Sequence, residues 1–418
     1  MQRIDVLVVG AGAAGLMAAG TAAQRGLSVW MVDKNAKPGR KLRITGKGRC
    51  NLTNRCTVAE FLEHVPTNPR FLYGALNRFT PADCMAFFEG LGVPLKTERG
   101  RRVFPVSDKA DDVADALARF ALDAGVTLLR GSVARLLTRA GHIGGCLLSD
   151  GRRIEATQVI LACGGSSYPA TGSNGAGFRL AAGVGHTIQP LRPSLVPLSC
   201  VGEDATACAG MMGLTLRNIG FSVYDTQRRR VLSEDFGELS FCQDGLTGPV
   251  VLSASARLKD AKPGRYRGDI DLKPALSPEK LDARLLRDWS AQPRRPFGEA
   301  LGALLPRNLI PETLRRAGIP AQTPSSDITR PQRRALGALL KQFSFSIAGL
   351  HPIEEAIVTA GGVSVQEVDP KTMQSKRVPG LYLAGEMLDV DAYTGGFNLQ
   401  IAFATGRLAG GRIYAIML

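Results

Sequence analysis

Eight cysteines are present, but no two are spaced C-x-x-C: Cys50, Cys56, Cys84, Cys146, Cys163, Cys200, Cys208 and Cys242. That absence argues against a zinc ribbon and against the dithiol of disulfide reductases. Histidine is scarce: His64, His142, His186 and His351 are scattered along the chain, and no metal is expected. Aromatic residues make up 6%, which leaves little material for a platform that stacks unpaired bases. No apolar run approaches the ~20 residues that span a bilayer. The stretch 6–23 follows Arg3 and ends in small residues, as a secretion signal does, yet Asp5 and interrupting glycines disagree with one. A strand, turn and helix explain it better, and the expected location is the cytoplasm.

Glycine and positive charge are abundant. There are 48 glycines in 418 residues, well above the average usage of about 7%. Fifty-two Lys and Arg against 37 Asp and Glu give a formal charge of +15. With 44% hydrophobic and 21% charged residues, the chain is neither disordered nor collagenous. Its length suits two to three domains at roughly 150 residues each. The charge permits a polyanionic partner without naming one.

Residues 4–9 (IDVLVV) read as a strand buried on both faces. GAGAAG, a small-residue helix and a second buried strand at 28–32 follow, completing one βαβ unit. Residues 34–56, rich in Gly, Lys and Arg, form a long loop of the kind that is usually functional. Helices are expected at 69–79, 81–91 and, with a 3.6-residue apolar period, 108–124. Strands are expected at 126–129, 132–138, 142–148 and 153–163. Residues 190–275 alternate like an antiparallel sheet or small barrel. Residues 277–345 are helical and Arg-rich. Residues 352–418 return to strands, Gly-rich turns and a closing apolar helix.

Gly10-Ala11-Gly12-Ala13-Ala14-Gly15 fits G-x-G-x-x-G between a strand and a helix. Gly10 permits the tight turn, Gly12 lets backbone approach a pyrophosphate, and Gly15 lets helix and strand pack closely. The helix N-terminus, with Ala13 and Ala14, presents N–H groups to phosphates. Asp33 ends the second strand, where its carboxylate can accept from ribose hydroxyls, with Lys34 beside it. The motif alone does not separate NAD from FAD. Two further glycine-rich segments favour FAD: Ala162-Cys163-Gly164-Gly165, and a C-terminal stretch in which Gly385-Glu386 follows a strand and Gly395-Gly396 opens the last helix. A βαβ unit rejoined by the far end of the chain suits a long cofactor, and the last helix would point its positive end at the flavin.

The segments KPGRKLRITGKGRCNLTN (37–54), GGSSYPATGSNG (164–175) and VPGLYLAGEMLDVDAYTGGFNLQIAFATG near the C-terminus resemble the BaiN/RdsA-type flavoproteins (YhiN-like family) over essentially the whole chain. The resemblance implies an α/β architecture. A Rossmann-like FAD-binding domain is assembled from both chain ends (1–189 and 346–418). It carries an inserted antiparallel β-barrel-like domain (190–276) and a helical subdomain (277–345). It also implies FAD contacts at Gly10, Gly12, Ala14, Asp33, Arg40 and Lys41. Further contacts would come from the loop Thr45, Gly46, Gly48, Arg49 and Asn51, and from Gly385 through Gln400. Val133 joins the expected cofactor residues, as do Phe397, Asn398 and Leu399. One departure stands out. A family segment often written T-H-R-G-L-S-G-P is here Cys242-Gln243-Asp244-Gly245-Leu246-Thr247-Gly248-Pro249, so any role of that His cannot be carried over.

The loop 39–51 places Arg40, Lys41, Arg43, Lys47 and Arg49 among three glycines. These cations are expected to offset pyrophosphate charge or to steer an anionic substrate. A reductase of an activated C=C bond also needs a proton donor within hydrogen-bond reach of the second carbon. The candidates are Cys50, with a thiolate that Arg49 would stabilise, Cys242 and Tyr393. No second G-x-G-x-x-G occurs, so NAD(P)H would dock transiently. Three readings stay open at this point: reduction of uridine in ribosomal RNA, reduction of a small steroid-like enone, and a flavin-binding redox sensor without turnover. Ribosomal RNA is thus a candidate partner, and a monomer is expected.

Overall fold

The apolar runs near the N-terminus form adjacent parallel strands in a computed structural model that describes residues 4–413. The described residues fall into two units. The first ends at Ser194 and resumes at Pro352, and the second spans Leu195–His351.

In chain order the first unit contributes β1 (Ile4–Val9), β2 (Val29–Asp33), β3 (Thr53–Asn54), β4 (Leu95–Glu98), β5 (Arg102–Pro105), β6 (Thr127–Arg130), β7 (Val133–Arg139), β8 (His142–Leu148), β9 (Arg153–Leu161) and β10 (Ile188–Ser194). Strands β6, β2, β1 and β9 lie side by side and parallel. Val6, Leu7 and Val8 are fully buried, as expected of a strand covered on both faces. The N-terminal half of β9 pairs antiparallel with β8, which pairs with β7. Strands β3, β5 and β4 make a separate small sheet.

The second unit supplies β11 (Leu198–Cys200), β12 (Thr215–Asp225), β13 (Arg230–Phe241), β14 (Gly245–Thr247), β15 (Tyr266–Asp271) and β16 (Phe343–Leu350). They close into a barrel in the order β11-β14-β13-β12-β15-β16. Period-2 burial along β15 (Tyr266, Gly268 and Ile270 inside) marks its inner face. The chain then returns to the first unit with β17 (Val358–Val363) and β18 (Leu381–Leu383). Strand β18 pairs parallel with the C-terminal half of β9, Leu381↔Val159 through Leu383↔Leu161.

The domain borders differ from those expected. Strand β10 pairs with β17, so it belongs to the first unit although it runs past 189 to Ser194. Strand β16 pairs with β11 and β15, so the first unit resumes after 351 and not at 346. No border falls at 276. Barrel residues Phe221, Ile270 and Phe343 share one apolar core with Leu281, Leu285 and Trp289 of the helix Pro278–Ser290 and Leu336 and Leu340 of the helix Arg330–Lys341.

In the first unit the helix Ala13–Ala23 packs on the last helix, Phe397–Arg412. A side chain at Gly406 or Gly410 would overlap the carbonyl oxygens of Ala14 and Ala18 respectively. Small residues on both helices thus allow near backbone contact and lock the two chain ends together. Among the described residues no helix is long and apolar enough to cross a membrane.

Candidate functional site

Three glycine-rich turns meet at the C-terminal edge of the parallel sheet, the edge where open α/β sheets bind ligands. The first follows β1. Gly10 has φ +104°, its N–H donates to Val32 O at 2.8 Å, and a Cβ there would stand 2.5 Å from Ala162 O. Only glycine fits. Gly12 faces open space, with nothing within 4 Å of where its Cβ would be. It begins the helix Ala13–Ala23 without a side-chain cap, so the first-turn N–H groups of that helix have no protein side chain to satisfy them. Asp33 is fixed here by two backbone donors, Ala11 N to Oδ2 and Asn35 N to Oδ1, each at 2.7 Å. Gly131 N donates to the backbone carbonyl of Asp33 at 2.9 Å, two residues before Val133 begins β7. Lys34 and Arg40 flank Asp33, and Arg40 donates to Asn35 Oδ1 at 3.3 Å.

The second turn is the loop 37–54. Gly46, Lys47, Gly48 and Cys50 all have positive φ, between 57° and 82°. Three of its five cations are engaged by carboxylates. Lys41 Nζ contacts Glu386 Oε2 at 2.8 Å and Ser167 Oγ at 2.8 Å. Arg43 pairs with Asp111 and Asp115 of the helix Ala110–Asp123. Arg49 pairs with Glu98 and with Asp108, and it holds Glu98 below the ordinary carboxylate range. Arg40 and Lys47 are exposed and open to an anionic ligand, whereas Lys41, Arg43 and Arg49 already meet carboxylates within the protein.

Cys50 does not have the surroundings that stabilise a thiolate. It is fully buried, and burial pushes its thiol up to about 12, with only a Thr45 hydrogen bond working the other way. Arg49 points to its carboxylates, not to this sulfur. The neighbouring Asn51 has a buried Oδ1 without a hydrogen-bond partner. An unsatisfied buried acceptor costs about 1–3 kcal/mol. Its position in the loop, together with the open space before Gly12, fits a polar dinucleotide laid across these turns.

The third turn belongs to the returning C-terminal segment. Gly385 N donates to Thr405 Oγ1 at 3.0 Å. Glu386 Oε1 accepts from Thr359 N at 2.9 Å and Ser167 Oγ at 3.0 Å. Ser166 N and Ser167 N donate to Thr359 Oγ1, tying the strand end Ala162–Gly165 to β17. Asn54 Nδ2 donates to Gly395 O at 3.1 Å, and Thr53 Oγ1 donates to Gln400 Oε1 at 2.7 Å. The basic loop is thereby stitched to Gly395-Gly396 and the last helix. The side chain of Asn398 turns back to Ala392 and Tyr393, and Leu399 leans on the core. Phe397 is buried and stacked on His64, centroids 4.5 Å apart. These three side chains shape the turn; what they offer a ligand is the backbone at the helix N-terminus. Tyr393 is half-buried in the same turn, its N–H donating to His64 O at 3.0 Å. Ser167 and Thr359 were not foreseen, and Gln400 was expected only as the end of the range from Gly385. Ser167 lies within the quoted GGSSYPATGSNG segment, but the hydrogen bonds of all three are non-local.

In the second unit Cys242 is half-buried at the turn between β13 and β14. Its sulfur lies 3.9 Å from Asp244 Oδ1, and His351 Nε2 lies 3.1 Å from the same oxygen. The imidazole missing from this turn in the sequence is thus present in space, supplied by residue 351. Cys200 and Cys208 bring their sulfurs to 3.9 Å, a thiol pair that C-x-x-C spacing does not reveal.

Comparisons with known proteins agree with this geometry. Residues 4–412 match the family model described as the HI0933-like protein Rossmann domain. A 3-dehydro-bile acid Δ(4,6)-reductase of Clostridium scindens is 33% identical over 98% of both chains. A ribosomal RNA dihydrouridine synthase of Escherichia coli is 30% identical over 97% of this chain and 96% of that protein. One of Haemophilus influenzae is 29% identical over 97% of both. Among solved structures, a 3-ketosteroid-Δ4-(5α)-dehydrogenase of Rhodococcus jostii shares the fold with a TM-score of 0.50, at 14% identity over 98% of this chain and 96% of that one. The glycine-rich turns, the sheet closed by both chain ends and these matches together place the chain in the HI0933-like Rossmann-domain family of FAD-dependent oxidoreductases.

Proposed function

We propose that this protein reduces an activated C=C bond, and that its substrate is a uridine of ribosomal RNA, converted to dihydrouridine. The observation that carries this reading is end-to-end similarity to two proteins named ribosomal RNA dihydrouridine synthases. The +15 charge suits a polyanionic substrate. Bound FAD supplies a hydride equivalent to one carbon, with NAD(P)H docking transiently to renew it. The protein's own residues do the rest. Gly12, Ala13 and Ala14 offer backbone N–H groups to the pyrophosphate. Asp33, already oriented by Ala11 and Asn35, keeps lone pairs for ribose hydroxyls. Asn51 Oδ1 gains its missing donor. The N-terminus of the last helix, behind Gly395 and Gly396, would offer its positive end to the flavin ring. Tyr393 delivers the proton. It is a half-buried acid in the turn that opens that helix, whereas the Cys50 thiol is too well buried to ionise. Deleting the gene should abolish one dihydrouridine in ribosomal RNA, read by mass spectrometry of nuclease fragments. Restoring the Y393F variant should recover FAD content but return the modification at least tenfold more slowly. Unchanged dihydrouridine after deletion removes the RNA reading.

A second reading has its own support: the 33% identical relative named as a bile acid reductase. Under it the purified enzyme turns over free steroid enones at a rate insensitive to salt.

A further inference from the structure

We infer that the tip of the β12–β13 hairpin, with the segment 257–265 beside it, is a phosphate-gripping surface for RNA; this rests on the ribosomal RNA reading above. Two basic stretches that are separate in sequence meet here. Strand β12 ends at Asp225, which pairs with Arg230 on β13 and with Tyr266 on β15. The turn between them and the first residue of β13 supply Arg228, Arg229 and Arg230, all exposed. The segment leading into β15 is fastened against it: Thr226 N donates to Arg265 O at 3.0 Å, and Arg257 donates to Leu232 O at 3.0 Å. Tyr266 OH donates to Lys259 O at 2.7 Å. Lys259 and Lys262 thereby join the three arginines on one exposed surface.

The acids nearby are already spent or remote. Asp225 is buried, and its Oδ1 accepts the N–H groups of Gln227 and Arg228. Asp260 lies 3.6 Å from Arg265. Glu234 and Asp235 sit further down β13. Five cations therefore face solvent, Arg228 with its Nε 3.9 Å from Asp225 Oδ2, and one exposed carboxylate, Asp260, lies among them. Arg229 also holds a left-handed backbone, φ +51°, where a turn ordinarily favours Gly or Asn. A cation stands at a position whose local chemistry asks for something else. Tyr224 and Tyr266 are covered by Arg267 and Arg265, each 5.1 Å from its ring. The surface thus offers charge without an aromatic platform, which suits backbone phosphates and not base readout.

The test is salt-dependent binding of the FAD-loaded full chain to deproteinised Escherichia coli large-subunit ribosomal RNA. Each phosphate contact contributes about 0.7–0.9 to the slope of log affinity against log salt. The variant R228A/R229A/R230A/K259A/K262A should bind roughly tenfold or more weakly, with a slope shallower by about 2 to 4. R228K/R229K/R230K should keep the wild-type slope. Both should retain the wild-type melting temperature and yellow colour. A five-site variant with the wild-type slope overturns this surface while leaving the RNA reading intact. Competition by poly-glutamate as strong as by RNA overturns it in favour of an acidic protein partner. Salt-insensitive or absent binding by the wild type removes the RNA reading itself, and the surface with it.

Discussion

At the scale of single residues, burial decides what the cysteines can do. Cys50 is fully buried with its thiol raised to about 12, and Cys163 is raised to about 12 as well. Iodoacetamide at about pH 8, where thiolates are the reactive species, should therefore label half-buried Cys242 first and leave Cys50 untouched, as read by peptide mass spectrometry. A second residue-scale effect concerns acid stability. His186 lies between Glu367 Oε2 at 3.1 Å and Ser375 Oγ at 2.8 Å, and its burial holds the imidazole below its ordinary 6.5. Glu367 is also depressed, to about 2: burial opposes its charge, but hydrogen bonds from Arg377 and Thr187 prevail. Both groups release protons more readily when folded. Stability from His186 is complete above 6.5 and is lost as pH falls below it, and that from Glu367 follows below 4.5. The melting temperature should fall between about pH 6.5 and 5, and H186Q should flatten that part of the curve. The fingerprint glycines were legible in the sequence because their roles are local and steric. The fate of Arg49 was not, because Glu98 and Asp108 lie 49 and 59 residues away, and only the fold decides which carboxylates meet that guanidinium.

At the scale of elements, the helix that follows the fingerprint and the last helix pack almost backbone to backbone. Gly406 and Gly410 leave no room for a side chain against Ala14 and Ala18. G410V should cost about 1–3 kcal/mol by overpacking. Because the same shift displaces Ala14 from the glycine turn, purified G410V should also lose much of its flavin absorbance. A G411A control, at a site where the nearest atom is 3.9 Å from the added carbon, should melt and absorb like the parent. Element types were readable where a period was strong. The expected helix at 108–124 is observed as Ala110–Asp123, and the strand at 142–148 is found at His142–Leu148. The ends of β10 and β16 carried no such signal. Each is assigned by its partner, β17 in one case and β11 with β15 in the other. A strand partner distant in sequence leaves no mark on local composition.

At the scale of the molecule, barrel and helices of the second unit share one core. The segment Leu195–His351, expressed alone, should therefore fold without FAD and melt in a single cooperative transition by circular dichroism. Separate transitions for barrel and helices would contradict the shared core. The return of the chain to the FAD-binding sheet was legible, since glycine-rich turns recur near the C-terminus and a second complete fingerprint is missing. The unity of the barrel with its helices was not, because the change from alternating to helical texture near 276 resembles a border, although the apolar faces on either side bury one another.

The divided pairing of β9 has a consequence for biosynthesis. Its second half waits for Leu381–Leu383, which leave the ribosome only after the whole barrel unit has been made. Until then the nascent chain carries an unzipped seam beside its most hydrophobic strands, an invitation to mispairing. A chaperone that shields that seam until the final segment emerges should raise the yield of active protein.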